Sequence, residues 1–306
     1  MNHKSNSKVV HRWLVGDFSL ARLVRSSLLI YGIFAAYVFF RADSLIFVPP
    51  ESSYADTPDI LKIPTTGDRH LSALMIAPET MSFSDLTDSE QGTINVPNIS
   101  SPETPYVLLY SHGNAEDLGL IRPVLDTLTQ AGVVVFAYDY QGYGTSDGQA
   151  SEQGAYADID AAYQYLTEER GVVPERIILH GRSVGGGPSV DLAAREPVAG
   201  LILESTFTTA FRTVIPFPIL PFDKFHNLRK VDDIGCPVLI IHGTADQTIP
   251  FWHGETLFEH ALAPKEALWI EGAGHNDLVW VAGDRYINTI KRFIDQLDTT
   301  TSSPEN

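Results

Sequence analysis

Residues 177–188 read IILHGRSVGGGP, an apolar run that leads into Gly181-Arg182-Ser183-Val184-Gly185. A serine with a glycine two residues to either side is the pattern of a sharp strand-to-helix reversal, which leaves the hydroxyl at the tip of a strained turn. The chemistry on offer is nucleophilic attack. Gly181 and Gly185 remove the side chains that would collide across such a turn. A helix beginning at Val184 would aim its free N–H groups and the positive end of its dipole at an oxyanion forming beside Ser183. The same five residues also describe a plain glycine-rich turn with a bystander serine, so the rest of the chain has to supply the partners a nucleophile needs.

A serine nucleophile needs a base, a group to orient that base, and a second oxyanion donor. His275 stands in the glycine-flexed loop Gly272-Ala273-Gly274-His275-Asn276-Asp277, and Asp246 in His242-Gly243-Thr244-Ala245-Asp246, each directly after an apolar run. In that arrangement His275 takes the Ser183 proton and returns it to the leaving group, while Asp246 orients the imidazole and stabilises its charged form. Ser111-His112-Gly113-Asn114 follows another apolar run. The backbone N–H of Asn114 is expected to join that of Val184 in an oxyanion hole, each donor contributing about 3 kcal/mol in the transition state. His112 is read as a residue that stabilises its turn rather than as the base. Glu204, at the end of the run after Ser183, is the alternative acid and ranks below Asp246. The loop from Asp139 to Ser146, with its two glycines, either passes close to the site or caps the next helix.

Elements that could hold these groups are legible in the apolar pattern. After residues 60–63 and 71–76, expected as an antiparallel opening hairpin, short Val-, Ile- and Leu-rich runs recur at 106–110, 133–138, 176–180, 201–204, 238–241 and 267–271. Helical stretches at 116–131, 152–169, 185–196 and 254–261 separate most of them. Buried strands spaced by amphipathic helices predict an α/β fold with a mostly parallel, twisted sheet of about eight strands and helices on both faces. Ligands of such sheets bind beyond the carboxyl ends of the strands, which is where Asn114, Ser183, Asp246 and His275 fall. Residues 79–105 are rich in Ser, Thr, Asp, Asn and Pro and read as a mobile polar loop; Asn98-Ile99-Ser100 within it is a glycosylation sequon.

HGNAEDLG, DYQGYGTSDG, GRSVGGGP, HGTADQTIP and GAGHNDL, in that order between residues 106 and 293, resemble the α/β-hydrolase superfamily. More narrowly they are similar to its small, cap-poor members with an amino-terminal membrane segment, the group that includes depalmitoylase-like hydrolases. The resemblance implies a serine hydrolase with Ser183, Asp246 and His275 as its triad, and it fixes no substrate. The loop at 79–105 is longer and more polar than the family pattern leads one to expect.

At the amino end, residues 26–40, SSLLIYGIFAAYVFF, carry no charge. Counted from Ala21, with Arg22 and Arg25 reaching toward headgroups, the segment is about 20 residues and can span a bilayer. Ala35-Ala36 is followed by more apolar residues rather than polar mature sequence, so an uncleaved anchor is expected. The expected organisation is a basic amino end and anchor at 1–45, a hydrolase domain at 46–298 with a short cap-like insertion at 206–234, and a disordered tail at 299–306. Lys4, Lys8, Arg12, Arg22 and Arg25 precede or open the anchor, which places the amino end in the cytoplasm and the body across the membrane. A helix lying in the interface, with the enzyme on the cytoplasmic side, is the competing picture.

The formal net charge is −17, and beyond residue 40 the chain holds 16 basic and 37 acidic residues, a net of −21. That field repels nucleic acid. Cys236 is the single cysteine, so no intrachain disulfide forms, and no spaced metal-ligand set or cofactor motif stands out. Within the insertion, Phe207, Phe211, Val214 and Phe217 are candidates to line an apolar slot beside Ser183 for an acyl chain. The expected function is therefore hydrolysis of carboxylic esters or thioesters of lipophilic acyl groups through an acyl-enzyme. A peptidase or amidase with the same triad, and a non-catalytic binding module on the same fold, are the alternatives.

Overall fold

A computed structural model describes residues 20–79, 81 and 105–301, the last three by backbone alone. The basic residues before position 20, most of the polar loop with its sequon at Asn98, and residues 302–306 lie outside the described residues. The chain divides into two compact units between Ala42 and Asp43.

The amino-terminal unit is built on α1, Leu20–Ile46, whose last turn belongs to the second unit. It is one helix long and apolar enough to cross a membrane. At 1.5 Å per residue its 27 residues measure roughly 40 Å, more than the hydrocarbon thickness. Leu28, Leu29, Ile30 and Ile33 are exposed, as lipid-facing side chains would be. The helix continues past Phe40, where the uncharged run ends, because Arg41, Asp43 and Ser44 are all compatible with helix at an interface.

In the second unit, β1 (Leu61–Thr65), β2 (Arg69–Ile76), β3 (Val107–Ser111), β4 (Val134–Tyr138), β5 (Ile177–Arg182), β6 (Gly200–Glu204), β7 (Val238–Gly243) and β8 (Lys265–Ile270) form one sheet in the order β1-β2-β4-β3-β5-β6-β7-β8. The opening hairpin pairs antiparallel, β2 lies antiparallel to β4, and all remaining neighbours are parallel. Strands buried on both faces should alternate their side chains between two cores, and they do. Ile177 and Leu179 of β5 face one cluster, Ile178 the other; Val107 and Leu109 of β3 oppose Leu108 and Tyr110 in the same way.

The helices that close these cores are α2 (Leu118–Thr129), α3 (Glu152–Gln164), α4 (Gly186–Ala193), α5 (Asn227–Lys230), α6 (Trp252–His260), α7 (Leu278–Ala282) and α8 (Asp284–Thr301). Leu118, Ile121, Leu125 and Leu128 bury one stripe of α2, and Asp117 caps it by accepting from the Leu120 N–H at 3.0 Å. Tyr286, Ile290, Phe293, Ile294 and Leu297 give α8 a buried stripe of the same spacing. That helix was not among the expected ones, and it carries residues 299–301 that were expected in a disordered tail. The parallel register is level at the carboxyl edge: Ser111 pairs Gly181, Arg182 pairs Glu204, and Gly243 pairs Ile270. The turns that follow β3, β5, β7 and β8 therefore open on one edge of the sheet.

Candidate active site

β5 ends in the reversal expected of its glycines. Ser183 has φ 53°, the left-handed region that costs a non-glycine residue about 1–2 kcal/mol. A Cβ on Gly181 would lie 2.5 Å from the Gly185 carbonyl oxygen, and one on Gly185 would lie 2.0 Å from the Ser111 carbonyl oxygen. Only glycine allows the turn to close this tightly. The Thr206 hydroxyl donates to the Ser183 carbonyl at 2.7 Å and fixes the turn from the β6 side. The α-helix begins at Gly186 rather than at Val184, because one 3-10 turn, Ser183–Gly185, comes first. This tightened first turn still leaves the early N–H groups without intrahelical acceptors.

His275 reaches the same point from the turn after β8. Its Nε2 is 3.1 Å from Ser183 Oγ and its Nδ1 is 2.7 Å from Asp246 Oδ2. With Nδ1–H donating to the carboxylate, the Nε2 lone pair faces the hydroxyl. Asp246 is itself fixed, since its Oδ1 accepts from the backbone N–H groups of Thr248 and Ile249, both at 2.8 Å. Burial pushes the Asp246 carboxyl up, but the neighbouring imidazoles of His242 and His275 outweigh that and hold its pKa well below the usual carboxylate range. The group stays ionised through the neutral range.

The turn after β3 brings Asn114 to the same edge. Among the described residues, no protein acceptor is bonded to the backbone N–H of Asn114 or of Val184. The Asn114 side chain is fully engaged: its Nδ2 donates to the Ile46 carbonyl at 2.5 Å, and its Oδ1 accepts from Val48 N–H at 2.9 Å and Tyr143 OH at 2.6 Å. A cavity of about 280 Å³ opens here, lined by Asn114, Ala115, Glu116, Arg182, His275 and Asn276 among others.

His112 is buried behind the turn, with Nδ1 2.7 Å from the Gly113 carbonyl and Nε2 3.3 Å from Asp139 Oδ1. It has no contact with Ser183 among the described bonds, consistent with a structural part. Burial alone would lower its pKa, yet the Asp139 carboxylate reverses the direction and raises it. Glu204, the alternative acid, bonds elsewhere: His180 Nε2 lies at 3.2 Å, Arg182 Nε at 3.3 Å, and Tyr286 OH donates to it at 2.5 Å. Burial would raise its pKa, but these three partners hold it at about 2.

Comparison with known proteins places the chain in a family. The family model described as serine aminopeptidase S33 matches residues 102–222. Over 199 residues the chain is 46% identical to alpha/beta hydrolase domain-containing protein 17B of Xenopus tropicalis, covering 64% of this chain and 68% of that protein. The Homo sapiens protein of the same name is 45% identical over 199 residues, with the same coverage. The chain belongs to the α/β-hydrolase superfamily. Solved structures share the fold at low identity: the Pyrococcus furiosus esterase Pf2001 superposes with a TM-score of 0.62 at 18% identity, covering 81% of this chain and 98% of that one. Est1E from Butyrivibrio proteoclasticus, solved with ferulic acid, gives a TM-score of 0.56 at 18% identity over 78% of this chain and 98% of that one.

Two features of this α/β-hydrolase were not read from its sequence. Arg182, next to Ser183, is buried and ties three strand ends together. Its Nη2 donates to Asn276 Oδ1 at 2.7 Å and to the His275 carbonyl at 3.3 Å, and its Nη1 pairs with Glu116, whose other oxygen accepts from Gly113 N–H at 2.9 Å. The residue is inside because β5 pairs it with Glu204 of β6. The second feature is the insertion, where the structure corrects the apolar slot. Phe207 is buried, with its ring 6.1 Å from that of Phe225, so it packs the segment onto the core. Val214 points to solvent. Phe211 and Phe217 line a cavity of about 290 Å³ with Phe222, Arg212 and Asp223, and that lining includes no residue of the Ser183–His275–Asp246 chain.

Proposed function

We propose that this α/β-hydrolase is a serine hydrolase that cleaves carboxylic ester or thioester bonds of lipophilic acyl groups through an acyl-enzyme. The observation that carries the reading is the unbroken hydrogen-bond relay from Ser183 Oγ through His275 to Asp246. His275 Nε2 takes the hydroxyl proton as Oγ attacks the acyl carbonyl carbon. The tetrahedral oxyanion accepts from the Asn114 and Val184 N–H groups, a pair of donors that together contribute several kcal/mol to the transition state. The imidazolium, stabilised by ionised Asp246, then gives its proton to the departing alcohol or thiol. Water enters, His275 removes its proton as the oxygen attacks the acyl carbon, and the imidazolium returns that proton to Ser183 Oγ as the ester bond breaks, releasing the carboxylic acid and restoring the hydroxyl.

A thiol or alcohol leaves more readily than an amine, and a body held at a bilayer by α1 meets lipophilic esters at high local concentration. Both considerations favour ester over amide chemistry. The match of residues 102–222 to a serine aminopeptidase family keeps a peptidase or amidase as the second reading. A fluorophosphonate probe should label the full chain and fail to label Ser183→Ala; equal labelling of the two would sink the catalytic assignment. Running p-nitrophenyl esters of increasing chain length against aminoacyl anilides decides the bond, with rates that rise with acyl length expected. For topology, the basic residues ahead of α1 support a cytoplasmic amino end with the body across the membrane. Protease added to intact, right-side-out cells or vesicles should then digest the body.

A further inference from the structure

The insertion between β6 and α5 presents to water a run that water does not favour. Residues 214–222 read VIPFPILPF, with Val214 83%, Phe217 62% and Ile219 39% exposed. Clustered exposed apolar side chains mark an interaction surface. The backbone suits a lipid partner: Pro216, Pro218 and Pro221 have no N–H, so the segment takes fewer donors needing acceptors into an apolar phase. Two cations flank it. Arg212 and Arg229 both line the cavity behind the loop, and neither guanidinium has an acidic partner among the described residues. In a body with a net charge of −21 beyond residue 40, two arginines left unpaired beside an apolar loop are complementary to an anionic surface.

The same segment is bound to the place where the chain leaves α1. Asp43, in the last turn of that helix, lies 3.1 Å from Lys224 Nζ, which is also 3.2 Å from Glu152. Phe47 packs its ring 6.0 Å from that of Phe225. The insertion is therefore fixed to residues 43–47, the stretch by which the chain enters the body.

We infer that residues 214–220 form a second membrane contact, in which Val214, Phe217 and Ile219 enter the headgroup boundary of an anionic bilayer while Arg212 and Arg229 meet lipid phosphates. The inference rests on α1 holding the chain at a bilayer and is independent of the hydrolytic reading. It is tested on the full chain reconstituted into phosphatidylcholine vesicles with or without phosphatidylserine. Phe217→Cys, in a Cys236→Ser background, carries a bimane label, and quenching by nitroxide-bearing lipid is measured. A label at Gln130→Cys, exposed at the far end of the sheet, is the reference. The label at 217 should be quenched several-fold more than that at 130, with a further increase when phosphatidylserine is present. Arg212→Glu with Arg229→Glu should abolish that increase. Equal quenching at the two positions overturns the contact, and quenching indifferent to phosphatidylserine or to the charge reversal overturns the pairing with lipid phosphate. Neither failure alters whether Ser183 reacts with a fluorophosphonate, so the two readings fail separately.

Discussion

Replacing Asp246 by asparagine tests the proposed acid without dismantling its loop. Oδ1 accepts from Thr248 and Ile249 N–H at 2.8 Å each, and an asparagine carbonyl keeps both bonds. The amide nitrogen then stands where Oδ2 was, 2.7 Å from His275 Nδ1, and donates to it. That forces the imidazole proton onto Nε2, which faces Ser183 Oγ at 3.1 Å and should carry a lone pair. The base is thus held in the wrong tautomer rather than displaced. The expected loss in kcat is about 10⁴-fold, as for the corresponding change in other serine triads, or about 5.4 kcal/mol at 1.36 kcal/mol per tenfold. Glu204→Gln is the paired control. Glu204 is bonded to His180, Arg182 and Tyr286, and no bond joins it to His275. Weakening a buried, paired carboxylate costs about 3 kcal/mol of stability, so Tm should fall while kcat of the folded enzyme changes less than about tenfold. The assay is p-nitrophenyl ester hydrolysis under saturating substrate, with thermal unfolding of each variant alongside. If Asp246→Asn stays within tenfold of the wild type, or if Glu204→Gln loses as much activity at an unchanged Tm, the assignment of Asp246 is refuted.

Arg182→Met should lower kcat/KM by about 10²-fold, because both the oxyanion turn, through Glu116, and the His275 loop, through Asn276, lose the group that positions them. Arg182→Lys should recover only part of the loss, since a point charge cannot reach Glu116, Glu204 and Asn276 at once; full recovery by lysine would contradict the positioning role. Asp158 predicts a pH dependence of stability. Burial raises its pKa from 3.8 to about 6, against the hydrogen bonds it accepts from Gln141. The folded chain therefore holds a proton that the unfolded chain releases near pH 4, so stability falls as pH rises from about 4 to about 6, by about 3 kcal/mol in total. Denaturant midpoints measured across that range should show the slope in the wild type and lose it in Asp158→Asn.

The residues proposed to do chemistry were legible because each closes a short strand and sits among glycines: Ser183 after β5, Asp246 after β7, His275 after β8. Strand ends are local features, and the carboxyl-edge rule converts them into neighbours without any knowledge of side-chain contacts. The bonds of Arg182 were not legible for the complementary reason. Its partners are Glu204 one strand away, Glu116 in the β3 turn and Asn276 in the β8 turn, and only the sheet register assembles them. Phe207 and Phe217 look alike in sequence and separate in the structure, one packed on Phe225 and the other exposed, a difference set by tertiary packing rather than by residue type. Asn114 illustrates a mixed case. Its backbone position follows from the histidine-glycine turn, whereas the side-chain bonds to Ile46 and Val48 join segments more than sixty residues apart.

These tertiary bonds explain how the site can hold Ser183 in an unfavourable conformation. A φ of 53° would relax in an isolated turn. Here Gly185 is seated against the Ser111 carbonyl, where a Cβ would lie 2.0 Å away, and the Thr206 hydroxyl holds the Ser183 carbonyl at 2.7 Å. Relaxing Ser183 would therefore break contacts with β3 and β6 together, at a cost above the 1–2 kcal/mol of local strain. The guanidinium of Arg182 extends that logic to the partners, because one rigid planar group bonds both the turn that presents Asn114 and the loop that presents His275. The proposed nucleophile, base and oxyanion donor are thus held by a single interlocked edge of the sheet.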